Sequence, residues 1–116
     1  MPHIILEHSN NVKEQTDYKE FFNSAVNKMI DLGIVADSSS IKCRFIKPTE
    51  YFLSDPENIF IHLQISLLAG RDRDRLQALS REMKELLQNN FKQSLASHPD
   101  SFSVEIREMD KDLYSK

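Results

Sequence analysis

The chain has 116 residues, of which 40% are hydrophobic and 28% charged, and a formal net charge of −3. That length fits one domain with a small core that subunit contacts would extend, and the mildly acidic balance supplies no basic field for nucleic acid. Two glycines, Gly33 and Gly70, leave no GxGxxG or Walker-type phosphate loop, and the single Cys43 allows neither an internal disulfide nor a zinc-ligand spacing. No apolar run reaches membrane-spanning length. His3 and Glu7 interrupt the short apolar start, so no secretory signal is read there, and the expectation is a cytoplasmic protein.

His3–His8 reads as the first strand, followed by the turn residues Ser9, Asn10 and Asn11. A helix starts near Asp17, which caps it while Glu20 reaches back. Its apolar stripe is Tyr18, Phe21, Phe22, Ala25, Val26, Met29 and Ile30, and Gly33 follows where a left-handed cap is wanted. After the loop 37–40, Ile41–Ile46 alternates as a strand, with Lys42 and Arg44 on one face. A connector punctuated by Pro48 and Pro56 carries Tyr51-Phe52-Leu53, read as a short strand or an interface anchor. Ile59–Leu68 alternates without a break and is the strongest strand. Arg71 to Arg75 then opens a long second helix, striped by Leu76, Leu79, Met83, Leu86, Leu87, Phe91 and Leu95. His98-Pro99-Asp100 stops it, Ser101–Arg107 forms the last strand, and the polar tail from Met109 is expected to fray.

The order predicts an α/β (α+β) fold: two β-α-β units forming a four-stranded mixed sheet with two helices on one face, in a single domain over residues 1–116. The other sheet face carries Phe60, Ile46 and Leu68 with nothing in the chain left to cover them, so further subunits are expected there.

Two stretches carry candidate chemistry. Once Met1 is removed, Pro2 presents a secondary amine at the end of a stiff ring. An α-amino group titrates at roughly 7.7–8.0, and burial beside apolar groups and cations lowers it toward the range of a general base. A proline in second place also serves many proteins merely by permitting methionine removal. At the other stretch, Gly70-Arg71 stands at a strand-to-helix junction, where helix N–H groups and an arginine fork suit a carboxylate. Lys42 and Arg44 add positive charge, whereas Arg73 and Arg75 alternate with Asp72 and Asp74 as a solvated run. The four histidines are too scattered to argue a metal centre, His62 reads as an interior or interface residue, and Cys43 reads as a small buried hydrophobe.

The start Met-Pro-His-Ile-Ile-Leu-Glu-His-Ser-Asn-Asn, the segment Ile41-Lys42-Cys43-Arg44, and the run from Ile61-His62-Leu63 to Ala69-Gly70-Arg71 resemble the 5-carboxymethyl-2-hydroxymuconate isomerase family of the tautomerase superfamily. The resemblance spans nearly the whole chain. It implies a homotrimer with sites between subunits, acting in the cytoplasm on a small-molecule carboxylate of aromatic (homoprotocatechuate) degradation. Neither nucleic acid nor membrane is a partner in that picture, and no metal or organic cofactor is needed. It implies Pro2 as catalytic base, with cations at Lys42 and Arg71 holding carboxylates and Arg44 as a further substrate-binding residue. The family carries arginine where Lys42 stands, so the charge is kept and the planar fork lost. Competing readings are a non-catalytic ferredoxin-like ligand-binding or oligomerisation module, separable by strand order, and a superfamily member acting on another substrate.

Overall fold

A computed structural model describes residues 2–116; the expectation that Met1 is removed falls outside that range. The elements are β1 (His3–His8), α1 (Tyr18–Asp31), β2 (Lys42–Ile46), β3 (Ile61–Leu68), α2 (Arg73–Asn90), α3 (Lys92–Ser97) and β4 (Phe102–Met109). They form one sheet in the order β2-β1-β3-β4. β1 pairs parallel with β2 and antiparallel with β3, and β3 pairs parallel with β4. Each β-α-β unit therefore keeps its two strands side by side. The split unit of a ferredoxin-like fold is not what this chain forms.

Alternation decides which face is covered. Ile4 and Leu6 on β1, and Ile61, Leu63, Ile65 and Leu67 on β3, are fully buried under the helices. Against them α1 sets Phe21, Ala25 and Met29, and α2 sets Leu76, Leu79, Met83, Leu86 and Leu87. These side chains make one continuous core, and truncating one such leucine to alanine costs about 2–5 kcal/mol. The opposite face shows His3, Lys42, Arg44, His62 and Gln64, with Ile46 still 42% exposed.

The helix ends follow local chemistry. Asp17 caps α1, accepting from Glu20 N–H at 3.2 Å. At its other end Gly33, at φ 70°, donates to Ile30 O, and Ile34 N–H donates to Met29 O, both at 2.9 Å. These paired bonds fold the chain back sharply.

Several boundaries differ from the sequence reading. The last helix is two: at Phe91 (φ −132°, ψ 54°) the backbone leaves helical geometry, and α3 restarts at Lys92. Phe91 still packs in the core, so a stripe continuous in sequence hides the break. Glu14 anchors the restart from the loop before α1, taking hydrogen bonds from Ser94 N (2.8 Å) and Ser94 Oγ (2.6 Å). β3 begins at Ile61 because Ser9 Oγ satisfies Phe60 N–H at 3.1 Å ahead of the regular ladder. The segment Tyr51-Phe52-Leu53 forms no strand, and Phe52 stands 87% exposed. The tail does not fray, since Tyr114 hydrogen-bonds His3.

Candidate active site

One end of the sheet gathers the start of β1, the start of β2 and the ends of β3 and β4. Pro2 sits there, buried, and its carbonyl accepts from Lys42 N–H at 3.1 Å. This bond extends the β1–β2 pairing by one residue and fixes the proline at the end of an inner strand. The reversal at Gly33 brings residues 34–40 over the same end.

Arg71 lies three residues beyond β3, the strand next to β1. Its Nε donates to Ile34 O and its Nη1 to Leu68 O, both at 2.9 Å. The guanidinium thus ties the turn after α1 to the end of β3. Among the described residues its Nη2 group and the second Nη1 hydrogen have no hydrogen-bond partner. The two residues meet in one hollow of about 330 Å³, walled by Pro2, Arg71, Ile34, Val35, Asp37 and Ser39 among others. Ile34 and Val35 supply apolar surface to the hollow that Pro2 lines.

Lys42 and Arg44 do not line this hollow. Both are exposed on the open sheet face, where Arg44 approaches His3 Nδ1 at 3.5 Å through both terminal nitrogens. Burial, then Arg44, then Lys42 hold the His3 ring below its ordinary titration range. With Arg44 as donor, the ring's Nδ1 is the acceptor and Nε2 carries the proton toward Tyr114 Oη at 2.9 Å.

The helix N-terminus beside Arg71 is not free for an anion. α2 begins at Arg73, and Asp72 already caps it, accepting from Arg75 N–H at 3.3 Å. Arg73 and Arg75 are exposed, as the solvated reading expects, and Arg75 Nη1 lies 3.5 Å from Gly33 O at the surface.

Asp37 and Ser39 were legible only as loop residues. Asp37 Oδ1 accepts from Ser39 N at 2.9 Å and Ser39 Oγ at 2.6 Å, and these bonds pull its carboxyl below the usual range. The Asp-x-Ser spacing is the signal for such a side-chain turn.

The remaining ionisable groups have structural employment. His8 is 3% exposed, with Nδ1 at 2.7 Å from Ser9 O and Nε2 at 2.9 Å from Tyr18 Oη. The carbonyl requires the proton on Nδ1, so Tyr18 donates to Nε2, and burial keeps the ring neutral by lowering its affinity for a proton. His62 Nδ1 meets Ser103 Oγ at 2.6 Å on the open face. Burial pushes the Cys43 thiol up, away from reactivity. A larger hollow of about 460 Å³ includes Lys13, Glu57 and His98, but both His98 ring nitrogens are engaged, by Ser97 Oγ and Glu57 O. Among the described residues no cluster of three potential ligands could hold a metal, and no helix is long and apolar enough to cross a membrane.

Strand order and paired β-α-β units define a tautomerase-type fold, and solved structures agree. A 5-carboxymethyl-2-hydroxymuconate isomerase from Deinococcus radiodurans R1 superposes with a TM-score of 0.85 at 24% identity, covering 99% of this chain and 87% of that one. A fused 4-OT described as a wild-type symmetric trimer gives 0.71 at 12% identity, covering 95% and 88%. In sequence, the Escherichia coli 5-carboxymethyl-2-hydroxymuconate Delta-isomerase is 25% identical over 118 residues, covering all of this chain and 93% of that protein. The profile of the family 5-carboxymethyl-2-hydroxymuconate isomerase matches residues 2–116. The chain belongs to that family, and it is an isomerase.

Proposed function

We propose that this isomerase converts a 2-hydroxymuconate-type dienol, 5-carboxymethyl-2-hydroxymuconate in particular, to its unsaturated ketone in aromatic (homoprotocatechuate) degradation, with Pro2 as general base. The observation that carries the reading is the shared hollow of Pro2 and Arg71, one a latent amine and the other an arginine with donors to spare. With Met1 removed, the Pro2 nitrogen takes the proton of the substrate's 2-hydroxyl. The electron pair moves through the conjugated system, the C2–O bond becomes a carbonyl, and a carbon further along receives the proton from the Pro2 ammonium. Atoms and charge balance without a cofactor.

Arg71 holds a carboxylate through its unspent donors, and fixed positive charge near the developing oxyanion lowers the barrier. Lys42 and Arg44 lie one strand away on the open face, and their part in substrate binding requires that face to complete a site with another subunit. A homotrimer would supply that arrangement and a cover for Ile46, which is 42% exposed in the single chain; the fold shared with a symmetric-trimer 4-OT favours it.

An ultraviolet assay on 2-hydroxymuconate and its carboxymethyl derivative tests the reading. Blocking the amino terminus, or retaining Met1, should lower kcat by about 10²–10⁴-fold, the range of a general base. Pro2→Ala keeps a primary amine and should lose less, while the oligomer stays intact. Undiminished turnover with a blocked terminus would place the base elsewhere.

A further inference from the structure

The hollow shared by Pro2 and Arg71 holds a second charge, of opposite sign to the arginine. Asp37 lines it, from the loop that the reversal at Gly33 carries over this end of the sheet. Its Oδ1 is committed to the turn, taking the bonds from Ser39 N at 2.9 Å and Ser39 Oγ at 2.6 Å, and among the described residues Oδ2 takes none. The Ser39 hydroxyl, then its N–H, keep the carboxyl below its ordinary range, so it is ionised at neutral pH. Arg71 is held by the carbonyls of Ile34 and Leu68. Among the described residues neither Asp37 nor Arg71 forms an ion pair. Two opposite charges on one small hollow would close on each other if both were free. Here each is tied to its own turn, and the space between them stays open.

With Met1 removed, the third polar group of that space is the Pro2 amine. Pro2 is buried, and the bond from Lys42 N–H to its carbonyl fixes its backbone. A hollow of about 330 Å³ is roughly 9 Å across if round, close to one Debye length at ordinary salt. Among the described residues Asp37 and Arg71 are its only charged side chains, while His3, Lys42 and Arg44 lie on the open sheet face. The amine therefore works between one cation and one anion. When its nitrogen takes the hydroxyl proton of the dienol, the O–H bond breaks, an N–H bond forms, and the ammonium carries two hydrogens. One is returned to carbon. The other needs an acceptor, and Asp37 Oδ2 is the uncommitted carboxylate oxygen of that hollow.

We propose that Asp37 is a positioning residue of the isomerase: its carboxylate serves as counter-ion to the Pro2 ammonium between the two proton transfers, holding the hydrogen that stays while the other is delivered. The inference deepens the function proposed above and rests on it. No proton passes to Asp37, and the total charge of the site is conserved through the step. Removing the carboxylate lets the ammonium lose its proton more readily, the reverse of what removing a neighbouring cation does.

Direct titration of the amine decides the matter, by NMR of isotope-labelled proline in enzyme with Met1 removed. Asp37→Asn keeps an oxygen for the Ser39 bonds and loses the charge. The Pro2 midpoint should then move toward acid by about half a pH unit, as suits one opposite charge across a water-accessible hollow. The acidic limb of kcat/KM should move with it. Asp37→Glu should restore most of the displacement. Ser39→Ala, which weakens the turn and keeps the charge, should leave the midpoint in place. A midpoint unmoved by Asp37→Asn, or moved equally by Ser39→Ala, would overturn the proposal. An amino-terminal block assayed on the dienol alongside separates the two levels. If it abolishes turnover while Asp37→Asn leaves the midpoint in place, only the role of Asp37 fails; if turnover survives the block, the base assignment fails.

Discussion

Arg71→Ala should damage the protein in two separable ways. The side chain gives two 2.9 Å hydrogen bonds to the carbonyls of Ile34 and Leu68 and is half-buried where it does so. Bonds from a charged donor contribute about 1.5–3 kcal/mol each when buried. Partial solvent screening reduces this to about 1 kcal/mol each, or about 2 kcal/mol together. For a chain of this size that lowers Tm by about 6–10 °C. Loss of the carboxylate contact should also raise KM for a dicarboxylate dienol by about 10–100-fold. Arg71→Lys keeps the charge but not the fork that reaches both carbonyls, so its Tm should fall nearly as far while KM partly recovers. Thermal melts and kinetics measured well below the melting range give both quantities. A Tm within 2 °C of wild type, by the same scale, would show that the carbonyl bonds do not hold the turn. Equal KM losses for mono- and dicarboxylates would show that Arg71 does not bind the second carboxylate.

Two further predictions concern pH. Partial burial alone would raise the Glu14 carboxyl, but the hydroxyl and N–H of Ser94 outweigh it and the net displacement is downward. Its stabilisation is therefore present above the ordinary carboxylate range and lost as pH falls through the folded value. Glu14→Gln should cost about 1 kcal/mol at neutral pH and lose that difference in acid; a pH-independent difference in melts would refute the assignment. His8 titrates below its ordinary 6.5, so the unfolded chain binds the proton first and stability declines as pH drops below that value. His8→Gln should flatten this acid slope in melting curves, whatever it does to the neutral value, and an unchanged slope would point to other groups.

The architecture was legible because each element is locally consistent. Asp17 and Gly33 bracket α1 by side-chain capping and a left-handed turn, both set by residue type. The alternation of Ile61, Leu63, Ile65 and Leu67 fixes which face of β3 is buried, since a slip by one residue would turn all of them outward. Pro2 and Arg71 could be singled out because a latent secondary amine behind methionine and an arginine after a strand-end glycine each carry chemistry that residue type alone reveals. The break at Phe91 was not legible, because its side chain belongs to the core on either side of the interruption and periodicity reports burial rather than backbone angle.

What the sequence determined alone is therefore the inventory: the strands, the helices, their buried faces and the residues able to move a proton or hold a carboxylate. Only the tertiary structure decided their company. It joined Pro2 to Arg71 through a hollow between segments about seventy residues apart, left Lys42 and Arg44 on the other face beside His3, and brought Tyr114 back to the chain's beginning. Pattern is governed by the few residues within a turn or a pleat. Proximity across the sheet depends on strand order and on where each chain reversal lands, and no local periodicity encodes either.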